Sequence, residues 1–138
     1  MATDEHAVLS VPDDAALLAV VADLFPEMFG IHLVPVPDDA LAVETEVGTL
    51  FVGVLSDFVI SLELRLVGRY RPTVELLTYL NEENAGSAFL TFSTLDEHLW
   101  VSANVDGRPL VPLHLARVLT YMFQAATAVL GDVTPERE

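Results

Sequence analysis

The chain contains no cysteine, and this absence removes three kinds of chemistry at once. Without thiols there is no disulfide, no thiolate metal site and no cysteine nucleophile. Lysine is absent as well, so all six basic residues are arginines. Set against 21 acidic residues, they leave a formal net charge of −15, which repels phosphate backbones and anionic membrane surfaces. We therefore expect neither nucleic acid nor membrane as a partner.

Long uninterrupted apolar runs are also missing, which argues against a membrane-spanning segment. The longest run extends from Leu50 to Ile60 and is broken by Ser56 and Asp57, whereas a membrane helix needs ~20 apolar residues. The first residues, Met-Ala-Thr-Asp-Glu-His, are acidic where a secretory signal would be basic and then apolar. These features predict a cytoplasmic protein.

The composition, in contrast, is rich in core-forming residues. The chain has 138 residues and is 52% hydrophobic, which suffices for a sizeable core. We predict a single domain over residues 1–138, with flexible ends at about 1–11 and 132–138.

Hydrophobic periodicity predicts the order of the elements. Apolar residues recur with helical spacing in three stretches and alternate with polar ones, or run together, in five others. The middle helix begins at Pro72, because the amide that proline lacks has no partner in a first turn. The predicted order is helix 13–29, strands 41–47, 49–55 and 58–66, helix 72–85, strands 88–94 and 99–105, and helix 115–130. This order predicts an α+β fold with a five-stranded antiparallel sheet and helices mainly on one face.

Two asparagines on the middle helix form a candidate structural motif. Leu76 and Leu80 lie four residues apart and share a face, and Asn84 continues the same row. Asn81 lies three residues before Asn84. Because a polar amide on an apolar stripe must find hydrogen-bond partners, we predict that Asn81 and Asn84 bind loose backbone where the helix meets the next strand.

The element order and the run Leu80-Asn81-Glu82-Glu83-Asn84 resemble the YbjN family. Those small bacterial proteins share the fold of type III secretion chaperones of the CesT kind, and the likeness covers roughly Asp13 to Leu130. The resemblance implies an acidic homodimer that binds proteins or peptides, without catalytic residues. It does not identify the client or the pathway.

No cluster of residues predicts a catalytic or metal site. Asp96-Glu97-His98 is the densest group of possible ligands, but it lies in a hairpin turn, where charged residues are usual. No two histidines are spaced three or four apart on one helix, as a metal pair would require. The four histidines are His6, His32, His98 and His114. We expect no catalytic residues, no metal and no cofactor.

Five residues are candidates for partner binding. Val59, Val67 and Trp100 are predicted to face away from the core, with Trp100 either packed under a loop at an edge or acting as an interface anchor. Arg65 and Arg69 belong to the one local basic cluster. They either pair with surrounding carboxylates or recognise an acidic segment or a dimer partner.

Together these features favour a non-catalytic, chaperone-like or regulatory module that binds a protein or peptide against its sheet or a helix groove. The alternative is a carrier of an apolar small ligand, held between the sheet and the C-terminal helix near Met122 and Phe123. An enzyme with an unrecognised site is a third hypothesis.

Overall fold

The computed structural model describes residues 7–38, 40–87 and 89–133. These residues form three α-helices and six β-strands, with a short 3-10 turn at Ser56–Phe58. The elements in chain order are α1 (Asp14–Phe29), β1 (Val34–Val36), β2 (Ala40–Glu44), β3 (Gly48–Leu55), β4 (Val59–Leu66), α2 (Val74–Ala85), β5 (Thr91–Leu95), β6 (His98–Asp106) and α3 (Pro112–Asp132).

The strands form one antiparallel sheet with the order β1-β2-β3-β4-β6-β5. The predicted α+β class and the antiparallel sheet are confirmed, but the predicted number of strands was wrong, because β1 is a sixth strand. In the sequence, Pro35 and Pro37 limit residues 31–36 to an edge strand or a lead-in. An edge strand pairs on one side only, so β1 tolerates a residue that cannot donate a hydrogen bond.

Local capping residues fix where the first two helices begin. The Asp13 side chain accepts a hydrogen bond from the Ala16 amide at 2.7 Å, which caps α1. The Thr73 hydroxyl accepts one from the Leu76 amide at 3.1 Å, so α2 begins at Val74. The predicted start at Pro72 was therefore two residues early, because the threonine caps the helix and the proline only precedes the cap.

The core lies between one face of the sheet and the three helices. Alternate residues of β4 are fully buried there, and β3 and β6 contribute neighbouring apolar rows. Burying a leucine side chain stabilises a fold by ~1.5–3 kcal/mol, so this layer supplies the main driving force. The largest fully buried side chains are Phe25, Leu17, Leu50, Ile60, Leu62, Leu64, Leu66, Leu99, Leu110, Leu115, Met122 and Val21.

Helix α3 is long and apolar enough, by length and composition alone, to cross a membrane. Its stripe Leu115, Leu119, Met122, Ala126 and Val129 is buried in the core against the sheet. This packing accounts for the hydropathy of the helix, because a core helix needs an apolar face of that length.

The segment before α1 is attached to the segment that leads into α3. Leu9 and Leu110 exchange two backbone hydrogen bonds, at 2.8 and 2.9 Å. Of the ends predicted to be flexible, residues 1–6 and 134–138 lie outside the described residues, as does Ala88 at the predicted start of a strand.

Gly48 provides a test of the β3–β4 packing. Its φ is 153°, and an added Cβ would lie 2.0 Å from the Arg65 carbonyl oxygen on β4. We expect Gly48→Ala to lower the free energy of unfolding by roughly 3 kcal/mol, because both the backbone angle and the neighbouring strand oppose a side chain. Urea denaturation measures the change.

The matched control is Gly53→Ala on the same strand, where an added Cβ meets nothing within 4 Å. It should change the free energy of unfolding by about 1 kcal/mol or less. Equal losses in the two variants would contradict the assigned close approach of β3 and β4.

Candidate functional site

The sheet has a second face, opposite the helices, which we call the open face. It is formed by the outward-pointing residues of the strands, because side chains alternate between the two sides. On β4 these residues alternate with the buried leucines and are half-buried or exposed. The open face is therefore a broad surface on a rigid sheet, and apolar and polar side chains both lie on it.

An aromatic–arginine cluster of Phe51, Arg65 and Trp100 lies on three interior strands of the open face, toward the C-terminal end of β4. The register places Arg65 directly opposite Trp100 on β6, while Phe51 comes from β3. The Phe51 and Trp100 ring centroids are 5.8 Å apart, and the Arg65 guanidinium carbon lies 5.6 and 6.0 Å from them. Such cation–π contacts contribute ~0.5–1 kcal/mol each at exposed sites, so the three side chains hold one another in place.

Trp100 is half-buried, and its indole N–H donates to the Leu95 carbonyl at 3.4 Å. The sequence predicted Trp100 and Arg65 separately, and their strands bring them together. Phe51 was missed. Its position along β3 could have identified it. Phe51 lies between Leu50 and Val52, which both face the core, so that Phe51 must face outward.

The other two apolar candidates lie at opposite ends of β4. Val59 pairs with Leu55 on β3 and Asp106 on β6, and Leu55 is 52% exposed. Val67 directly follows β4 and is 48% exposed. At ~3.3 Å per residue, the two valines are roughly 26 Å apart, with the aromatic–arginine cluster between them. The open face thus offers an apolar side chain at each end of its central strand, with Ser61, Glu63 and Arg65 between them.

Arg69 differs from Arg65 in its surroundings. It lies in the loop after β4 and forms an ion pair with Glu97 in the β5–β6 turn. The same turn is tied to the loop a second time, because the Tyr70 amide donates to the Glu97 carbonyl at 2.7 Å. This pairing favours the interpretation in which Arg69 joins two loops of the fold, while Arg65 belongs to the open face.

Asn84 and Asn81 also differ. Asn84 donates its side-chain amide to the Phe92 carbonyl at 3.0 Å and accepts a hydrogen bond from the Phe92 amide at 2.5 Å. The Asn84 side chain thereby forms with the edge strand β5 the pair of hydrogen bonds that a neighbouring strand would form. Asn81 is exposed, and its side chain forms no hydrogen bond with another residue of the described ranges.

The helical side of the described residues contains open grooves. An apolar groove of about 320 Å³ lies between α1 and α3, lined in part by Phe25, Phe29 and Phe123, and no sheet residue lines it. Met122 is fully buried within the core. The apolar space near Phe123 therefore opens between two helices, and not between the sheet and α3 as the carrier hypothesis expected.

Two tyrosines have raised pKa values for structural reasons. Burial raises the pKa of Tyr70. For Tyr79 on α2, burial and a 2.8 Å hydrogen bond to Asp132 on α3 raise the pKa well above 10.0. Both phenols stay neutral at physiological pH, so they serve packing and helix contact. Within residues 7–38, 40–87 and 89–133, no group of three or more acidic or histidine side chains is placed to hold a metal ion.

Solved structures with this fold define the class of the protein. The chain is similar to the Yersinia pestis type III secretion chaperone SycH, solved in complex with a stable fragment of YscM2, with 14% identity and a TM-score of 0.62. That alignment covers 80% of this chain and 98% of SycH. It is also similar to YbjN from E. coli, with 16% identity, a TM-score of 0.64, and coverage of 89% and 93%. The fold is that of the type III secretion chaperones.

The family follows from the sequence itself. Residues 15–134 match the family described as TY-Chap1, T3SS (YopN, CesT) and YbjN peptide-binding chaperone 1, and the chain belongs to that family. The resemblance inferred from the element order and the Leu80–Asn84 run is confirmed. No curated protein sequence matches the chain.

The hydrogen bonds of Asn84 predict the effect of replacing it. Asn84→Ala leaves the Phe92 amide and carbonyl without their side-chain partner, and we expect a loss of about 2 kcal/mol in the free energy of unfolding. Asn81→Ala removes an equal amide from the same helix and should cost less than about 0.5 kcal/mol. Chemical denaturation gives both values, and amide hydrogen exchange at Phe92 should accelerate only in the first variant. Similar losses in both would contradict a specific role for Asn84.

Proposed function

We propose that this protein is a non-catalytic, chaperone-like module that holds an extended protein or peptide segment against the open face of its sheet. The observation that carries this proposal is the row of apolar and aromatic side chains that the helices leave uncovered. Exposed apolar surface on a soluble domain marks interaction sites. Membership of a family of peptide-binding chaperones supports a client of this kind.

The position of the aromatic–arginine cluster supports the open face over the helical grooves. Hot spots of binding are enriched in tryptophan, tyrosine and arginine and lie near the centre of an interface. Trp100 and Arg65 meet both conditions, since they lie on neighbouring strands inside the sheet. Flanking apolar side chains, Leu55 and Val67 among them, extend the contact toward both ends.

The charge of the chain supports the same class of partner. A formal net charge of −15 disfavours nucleic acid and anionic membranes and keeps a domain with an exposed apolar face in solution. We infer a cytoplasmic protein on these grounds. The family resemblance further supports an acidic homodimer.

A second surface supports dimerisation. Val74 and Leu77 on α2 lie three residues apart, so they share a side of the helix, and they are 78% and 46% exposed. A self-associating domain can bury such side chains in a two-fold interface, where the same patch serves both copies. The open face then remains accessible to a client in each copy.

Client binding is tested with fluorescein-labelled twelve-residue peptides that alternate apolar and polar residues, measured by polarisation. We expect Trp100→Ala to raise the Kd at least about tenfold, because a central aromatic anchor is lost. Phe123→Ala removes an aromatic side chain from the groove between α1 and α3 and should leave the Kd unchanged. The reverse pattern would place the client on the helical side, and circular dichroism confirms that both variants fold.

Dimerisation is tested by native mass spectrometry and light scattering. We expect the wild type to show twice the chain mass, and Val74→Glu with Leu77→Glu to show the single mass, because two desolvated carboxylates oppose association. The control, Ala15→Glu with Ala19→Glu, adds the same charge to the exposed side of α1 and should remain dimeric. A co-purifying small molecule would instead support the carrier hypothesis, and a monomeric wild type would contradict the dimer.

A further inference from the structure

Arg65 carries a positive charge that has no anionic partner in the described ranges. Its contacts there are the faces of Phe51 and Trp100, without an ion pair or a hydrogen bond. Arg69, by comparison, is paired with Glu97. In a chain with 21 acidic residues and six basic ones, an arginine that forms no ion pair within the described residues requires an explanation.

Glu44 and Glu63 are the acidic residues that the register places next to Arg65 on the open face. Glu44 accepts a hydrogen bond from the Thr49 hydroxyl at 2.8 Å, and Thr49 is the residue of β3 opposite Arg65. Glu63 lies two residues before Arg65, is exposed, and pairs with Phe51 in the register. Neither carboxylate forms an ion pair with the guanidinium within the part of the chain that the structure describes.

Contact with aromatic rings leaves a guanidinium able to recognise a carboxylate. The guanidinium carbon of Arg65 lies 5.6 and 6.0 Å from the ring centroids of Phe51 and Trp100. These contacts favour one position of the side chain, and they use the π-faces of the rings, so that the N–H donors in the plane of the guanidinium can still bind an acceptor. The two oxygens of a carboxylate can accept two parallel hydrogen bonds from the N–H groups of a guanidinium. Such pairs are among the stronger polar contacts in proteins. Because Arg65 is half-buried, such a pair is screened less than one at the exposed rim.

We propose that Arg65 binds the carboxylate of an aspartate or glutamate side chain in the client, while apolar residues flanking that side chain pack on Phe51 and Trp100. This inference rests on the proposed function and adds the chemical class of the client segment. The acidic residue lies within the segment and not at its C-terminus, because β4 is an interior strand and the open face continues on both sides of Arg65.

The overall negative charge of the chain does not oppose this pairing strongly. At physiological ionic strength the screening length is ~8 Å, so distant carboxylates contribute little at Arg65. The nearest one, Glu63, should weaken the binding of an acidic client. The charge pattern therefore predicts selectivity for a single acidic residue between apolar ones, and discrimination against acidic runs.

The test uses the full chain and three nonapeptides with alternating valine and threonine around a central residue. The first has a central glutamate and blocked ends, the second a central glutamine and blocked ends, and the third a central glutamine and a free C-terminus. Trp100 is the single tryptophan of the chain, so its fluorescence reports binding at the site, and calorimetry gives the Kd. Arg65→Gln is compared with Arg117→Gln, which removes the same charge from the exposed side of α3.

We expect the wild type and Arg117→Gln to bind the glutamate peptide about tenfold more tightly than either glutamine peptide. Arg65→Gln should lose this preference and bind the two blocked peptides with equal Kd, and circular dichroism checks that it folds. Arg65→Lys should retain part of the preference, because an ammonium cannot form the two-point contact. Glu63→Gln should strengthen binding of the glutamate peptide.

Four results would overturn the inference. In the first, the wild type binds both blocked peptides with equal affinity, and in the second, the preference for glutamate persists in Arg65→Gln. Either result would contradict the contact between Arg65 and a carboxylate, while the proposed function would stand. A preference for the free C-terminus over the internal glutamate assigns Arg65 to a chain end. If none of the peptides binds or alters Trp100 fluorescence, client binding at the open face itself fails, and the inference fails with it.

Discussion

The pairing of β3 with β4 is the constraint on which the rest of the structure depends. The two strands stay in register from Gly48↔Leu66 to Leu55↔Val59, and Gly48 permits the close approach at one end. In a sheet, a shift of one residue would move every core side chain to the other face. The register therefore decides at once which leucines meet the helices and which side chains remain on the open face.

The number of helices then explains why one face stays open. In the described residues, three helices cover one side of a six-stranded sheet. Their apolar stripes pack against the core residues of β3, β4 and β6. On the open face, Phe51, Arg65 and Trp100 contact one another and so shield part of their own apolar surface from water. These contacts reduce the exposed apolar area without closing the surface, which is the condition that a reversible binding face requires.

The edges of the sheet are protected from uncontrolled strand pairing. The Asn84 side chain forms hydrogen bonds with the backbone amide and carbonyl of Phe92 on β5. On β1, Pro35 lacks an amide hydrogen. Exposed strand edges are templates for aggregation, and proteins block them with such devices. Similarity to SycH and YbjN at 14% and 16% identity shows that the same fold is compatible with very different sequences.

The sequence by itself determined the class of fold and the character of the surface. Helical spacing in α1, α2 and α3, alternation in β4 and the excess of acidic residues are local properties, readable without knowing what each segment touches. The element order together with the run Leu80–Asn84 suggested the family, which the match over residues 15–134 confirms. Trp100 and Arg65 could be named because alternation along a strand shows which residues point away from the core.

Only the tertiary structure decided the contacts between segments distant in the chain. It paired β1 with β2 despite two prolines, because an edge strand has a free side. It placed Asn84, and not Asn81, where the side chain forms hydrogen bonds with the backbone of Phe92. It also brought Phe51 beside Arg65 and Trp100, since strand order and register place those three side chains together. Such contacts depend on which strands become neighbours, and that choice is made by the packing of the whole core rather than by any local pattern.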